Sequence, residues 1–101
     1  MCKQILIVII YFAPIITYTQ NDYEIFDDGN ILYEEKKFEE AKNKYLNLYQ
    51  RGIISKELFL NIGNSYFKMD SLPHAILFYE KGLKIAPGDI DLTHNLQHCN
   101  T

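Results

Sequence analysis

Residues 59–87 read FLNIGNSYFKMDSLPHAILFYEKGLKIAP, and two helices can be read directly from them. Phe59, Ile62 and Tyr66 recur at steps of three and four, as do Ala75 and Tyr79, so each set makes one apolar stripe on a helix. Gly63 and Ala75 are small where two such helices must approach closely. Ser71 and Pro73 mark the start of the second helix, because proline fits the first turn, where its missing N–H costs nothing. Pro87-Gly88 marks the end. One such hairpin cannot bury its own apolar face, so the surrounding chain must supply a partner.

Sliding the sequence back along itself, so that Phe59 falls on Ile25, uncovers a second copy. In that register Gly29, Ala41 and Tyr45 stand where Gly63, Ala75 and Tyr79 stand. Tyr33 matches Phe67, and Phe38 matches Leu72. Asn21, Ser55 and Asp89 keep the same spacing, and each can cap a helix start through a side-chain oxygen. A fixed period with caps in register is the mark of a repeat architecture. Two positions depart from it: Asp28 stands where an apolar residue is expected, and Ile53 where Pro is expected. Helices are expected over about 22–35, 38–50, 56–69 and 72–85, with tight turns at Lys36-Lys37 and Asp70-Ser71. Gly52 is suited to a left-handed cap. Residues 90–98 are expected to form a short, fraying fifth helix over the open end.

These features resemble the tetratricopeptide repeat (TPR). That resemblance implies an all-α fold of two helix-turn-helix repeats (about 22–55 and 56–89), an α-solenoid with a partial C-terminal capping helix at 90–98. In it Gly29, Ala41, Tyr45, Phe59, Ile62, Gly63, Tyr66, Ala75, Tyr79 and Pro87 are structural positions. Within the family, Leu58 to Lys68 resembles the "LYYNLGNAYYK" helix of BatE-type proteins of the aerotolerance (Bat) operon. Ala75 to Lys81 is similar to their "AILYYERAL" helix, and Asp91 to Leu96 to their "DIRHNL". The likeness covers roughly residues 20–98. It implies an exported or envelope protein that works as a partner in an assembly and has no chemistry of its own in this region.

The N-terminus points the same way. Lys3 precedes an apolar run from Ile5 to Ile16, broken only by Pro14, and Thr17-Tyr18-Thr19-Gln20 follows. A basic start, a short apolar core and a polar exit describe a signal peptide over residues 1–19. Retention as an N-terminal anchor is the alternative. The run is shorter than the ~20 residues that cross a bilayer as a helix. The expected location is therefore the periplasm or envelope, with residues 20–101 as the TPR domain.

Without Lys3, nine basic residues face thirteen acidic ones, so a nucleic-acid surface is not expected. Eight acids lie between Asp22 and Glu40, and only Lys36 and Lys37 oppose them, which reads as a solvated helix face rather than an acidic docking patch. Cys2 precedes the apolar run, so Cys99 is the sole cysteine of the mature part and no internal disulfide holds the fold.

In TPR proteins the first helices of the repeats line a groove for peptides or partner helices. The resemblance places Tyr23, Phe26, Asn30, Tyr33, Leu60, Asn61, Asn64, Phe67 and Lys68 on that face, with Asp91, His94, Asn95 and His98 from the cap. Amides can donate to and accept from a peptide backbone, and aromatics add apolar area at low entropic cost. The competing reading buries Leu60 and Phe67 between helices. The carboxylate clamp of chaperone-binding TPR domains is not matched. Asn30 and Asn61 fit its asparagine positions, but Phe26, Asp91 and Asn95 stand where its cations belong.

No glycine-rich phosphate loop, Ser-His-Asp set or paired carboxylates appear, so the reading is non-catalytic, with no cofactor. The expected partner is a protein or peptide, within an envelope or membrane-protein complex, and a homodimer through the open repeat ends is a further expectation. The alternative from another class is a metal-binding or metal-carrier protein. His94 and His98 are one helical turn apart, with Cys99 beside them.

Overall fold

The computed structural model describes residues 8–14 and 20–101. The segment 1–19 where a signal peptide is expected lies largely outside the described residues, and residues 8–14 are irregular and exposed.

Five helices follow in order: α1 (Asp22–Glu34), α2 (Phe38–Gln50), α3 (Lys56–Lys68), α4 (Leu72–Ile85) and α5 (Ile90–Cys99). The described chain is all-α and repeat-like. Asp22, Lys56 and Ile90 open α1, α3 and α5 at equal intervals along the chain, and Phe38 and Leu72 open α2 and α4 with that same separation. Each helix packs on its neighbours in the chain, and α3 also touches α5.

The chemistry of the starts explains the common spacing. The first amides of a helix have no partner within it, and a side-chain oxygen just before the helix supplies one. The side chains of Asn21, Ser55 and Asp89 accept from the amides of Glu24, Leu58 and Leu92 at 2.9, 3.0 and 3.0 Å. Ser71 differs: its hydroxyl meets Nδ1 of His74 at 2.9 Å rather than an α4 amide. The turns inside the two hairpins also repeat. Lys36 (φ 63°) and Asp70 (φ 58°) are both left-handed, and Gly52 (φ 89°) turns the chain from α2 to α3.

Two apolar clusters form the core. Ile25, Ala41, Tyr45, Leu48, Leu58, Phe59, Ile62 and Phe78 make the first, which joins the two hairpins. Ala75, Tyr79, Leu92 and Cys99 make the second, under α5. Leu92 is fully buried, and burying such a side chain is worth roughly 1.5–3 kcal/mol. That anchor holds α5 over Ile90–Cys99, where a short fifth helix is expected from the sequence. Between α2 and α4 the aromatics close up edge to face. Tyr49 meets Phe59 and Phe78 with ring centroids 5.6 and 5.4 Å apart. Asp28 is half-buried, accepts from the side chain of Gln20, and stands at the place where Ile62 of the second hairpin is wholly enclosed.

Candidate functional site

The tyrosines of α2 and α4 build the site from behind. The ring of Tyr45 lies across Gly29, and that of Tyr79 across Gly63, where a Cβ would come within 2.6 and 2.4 Å of the ring. Only glycine lets the two helices close to this distance. The same approach carries each phenol hydroxyl through to the far side of α1 or α3. There Tyr45 donates to Oδ1 of Asn30 at 2.6 Å, and Tyr79 to Oδ1 of Asn64 at 2.7 Å. Burial, foremost, pushes both phenols well above the ordinary 10.0, so they are neutral donors at physiological pH.

Each of these amide oxygens accepts a second bond from the next odd-numbered helix. Asn61 Nδ2 donates to Asn30 at 3.4 Å, and Asn95 Nδ2 donates to Asn64 at 2.8 Å. Both lone pairs of Asn30 Oδ1 and of Asn64 Oδ1 are then used. The remaining polar atoms, Nδ2 of Asn30 and Asn64 and Oδ1 of Asn61 and Asn95, have no partner among the described residues. No buried side-chain polar atom is left unsatisfied there, so these groups open to solvent. A row of amides presenting free donors and free acceptors results.

Above that row lies a groove made of two adjoining concavities. Asn30, Tyr33, Glu34, Tyr45, Asn61 and Asn64 line one, with a volume of about 310 Å³. Tyr33, Asn64, Phe67, Lys68, Tyr79, Asn95 and His98 line the other, of about 230 Å³. Tyr33 and Asn64 are shared, so the surface is continuous from α1 to α5. Tyr33 and Phe67 stand along it as half-buried rings, and burial followed by the charge of Glu34 raises the Tyr33 phenol above its ordinary value. The groove can therefore offer apolar area, alternating amide donors and acceptors, and charge at its rim.

Six of the nine residues expected on this face are brought together here: Asn30, Tyr33, Asn61, Asn64, Phe67 and Lys68. The other three are not. Leu60 packs on the second core cluster. Tyr23 and Phe26 lie at the N-terminal end of α1, around a separate concavity of about 350 Å³ shared with Leu48, Ile53 and Leu58. Phe26 also packs on Tyr45, with ring centroids 5.7 Å apart.

Most of the structural positions are core. Ala41, Ile62 and Ala75 are fully enclosed, and Phe59 nearly so. Tyr66 stacks on His74 and Phe78, while Pro87 is exposed at the α4–α5 turn. Tyr45 and Tyr79, expected only as structural residues, also deliver the hydroxyls that fix the groove floor. Asn95 completes that floor. It lies one full repeat period beyond Asn61, and that register is the sequence signal for it.

The rings of His94 and His98 stand 4.5 Å apart on exposed positions of α5. Cys99 is buried in the second cluster, where burial pushes its thiol up, so it does not converge with them. Among the described residues no group of three or more His, Cys, Asp or Glu side chains is placed to hold a metal ion. No helix among those residues is long and apolar enough to cross a membrane. No protein-family model matches the chain, and no curated protein matches it in sequence.

Proposed function

We propose that this protein is a tetratricopeptide-repeat interaction module, exported to the periplasm or envelope, that binds a partner protein through the groove between α1, α3 and α5. The observation that carries the reading is the twice-repeated linkage of tyrosine, asparagine and the next helix's asparagine, which floors a continuous groove with unpaired amide groups. Such a floor suits an extended main chain, whose N–H and C=O groups need partners in alternation. The role is non-catalytic. Resemblance to BatE-type proteins adds the expectation of a place in an aerotolerance assembly. The apolar run after Lys3 supports export.

The test replaces groove walls rather than floor. Tyr33→Ala/Phe67→Ala removes two half-buried rings and leaves the asparagine linkages in place. The envelope partners retained by the wild type should be lost by this variant, with its helix content unchanged by circular dichroism. Equal retention by the two proteins would remove the groove from the binding reaction.

A further inference from the structure

The groove carries charge of opposite sign at equivalent places in successive hairpins. Glu34, at the C-terminal end of α1, lines one concavity, and Lys68, its counterpart at the C-terminal end of α3, lines the other. Neither makes an ion pair with a described residue. The other residues lining the two concavities carry no fixed charge, and His98 shares the concavity of Lys68. Asp27 adds to the acidic side, since it stands in α1 where α3 has Asn61 and α5 has Asn95. The Asn30–Asn61 bond ties α1 to α3, so the two charges stand one helix step apart along the groove. A step on the order of 10 Å is crossed by about three residues of extended chain at ~3.3 Å each.

We propose that the groove selects an extended partner segment carrying one basic and one acidic side chain about three residues apart. The basic group rests at Glu34 and the acidic group at Lys68. This rests on the reading of the groove as a peptide site and adds the chemistry of what enters it. Either order of the two charges along the segment satisfies the geometry, with opposite chain directions, so the preferred order also reports the direction of binding. The amides bind the main chain whatever its sequence, and the charged pair sets the choice.

The full chain is presented with nine-residue peptides of random uncharged sequence that carry fixed charges at positions i and i+3. Four sets are used: Lys/Glu, Glu/Lys, Lys/Lys and Glu/Glu. The wild type is expected to enrich a mixed-charge set over both like-charge sets by about three- to ten-fold, the scale of two exposed ion pairs. Lys68→Glu should turn the preference to Lys/Lys, and Glu34→Lys to Glu/Glu. The double exchange should restore the mixed preference with the order of the charges reversed. Both residues are exposed, so the variants fold, and melting temperatures within a few degrees of the wild type check that they do. If all four sets bind equally and Tyr33→Ala/Phe67→Ala abolishes binding, the charge selection is wrong and the peptide groove stands. A mixed preference unmoved by the charge exchanges also overturns the proposal. If no set binds the wild type, the groove reading and the proposal fall together.

Discussion

The ring of Tyr79 lies so close over Gly63 that a methyl group there would stand 2.4 Å from its Cε1. No rotation of the ring relieves this, because Tyr79 is 1% exposed and its hydroxyl is held by Asn64. Gly63→Ala should therefore force α3 and α4 apart and cost about 2–3 kcal/mol in chemical denaturation. Tyr79→Phe keeps the ring and removes one hydrogen bond, a loss of about 1 kcal/mol. A Gly63→Ala protein as stable as the wild type would show that the hairpin closes less tightly than a 2.4 Å approach requires.

Lys36 and Asp70 hold left-handed backbone with side chains that disfavour it. Lys36→Gly should raise stability by about 0.5–1 kcal/mol, and Asp70→Gly by less, because aspartate tolerates this conformation better than lysine. Gly52→Ala should do the reverse, by about 1 kcal/mol, through backbone strain alone, since no neighbour lies within 4 Å of the added methyl. Thermal melts of the three variants rank them.

Lys56 and Asp89 join the starts of α3 and α5 at 2.9 Å. The Leu92 amide and then Lys56 hold the Asp89 carboxyl below its ordinary 3.8, and Asp89 holds the Lys56 amine above its ordinary 10.5. The Asp89 contribution is present above pH 3.8 and is lost as pH falls through its lower folded value. The Lys56 contribution is complete below pH 10.5 and is lost as pH rises through its higher folded value. Tyr45 and Tyr79 act in the same alkaline direction, because each resists ionising until the fold opens, so stability falls above the ordinary 10.0 of a phenol. Protection factors of the α5 amides should therefore be largest between these limits. Asp89→Asn keeps a capping oxygen and removes the charge, so it should flatten the acid limb and leave the tyrosine-driven alkaline loss.

Leu92 inserts where Gly82 leaves room, its methyl groups 2.8 and 2.9 Å from the Cβ that a larger residue would carry there. Leu92→Ala should cost about 2–4 kcal/mol and expose Cys99 to thiol reagents well before α1 to α4 unfold. If Cys99 becomes reactive only with global unfolding, α5 is not held by this side chain.

The helices were legible because the physics that starts them is local. Asn21, Ser55 and Asp89 cap within three residues of themselves, and the period follows from the spacing of such caps. Lys36-Lys37 and Asp70-Ser71 could be placed as turns for the same reason. The groove was less legible because it depends on which face of a helix its neighbours leave uncovered. Leu60 and Phe67 sit in the same apolar stretch of α3 and both pack on the second core, yet of the two only Phe67 also lines the groove. Nor does a tyrosine at a packing position announce its hydroxyl. Whether Tyr45 and Tyr79 end in the core or pass through it depends on how closely Gly29 and Gly63 admit their rings.

The two asparagine links differ in length, 3.4 Å between α1 and α3 against 2.8 Å between α3 and α5. The second is also reinforced by an ion pair at the helix starts and by packing of α3 on α5. A guest that competes for Asn61 Nδ2 therefore displaces it from Asn30 at less cost than one that competes for Asn95 Nδ2 at Asn64.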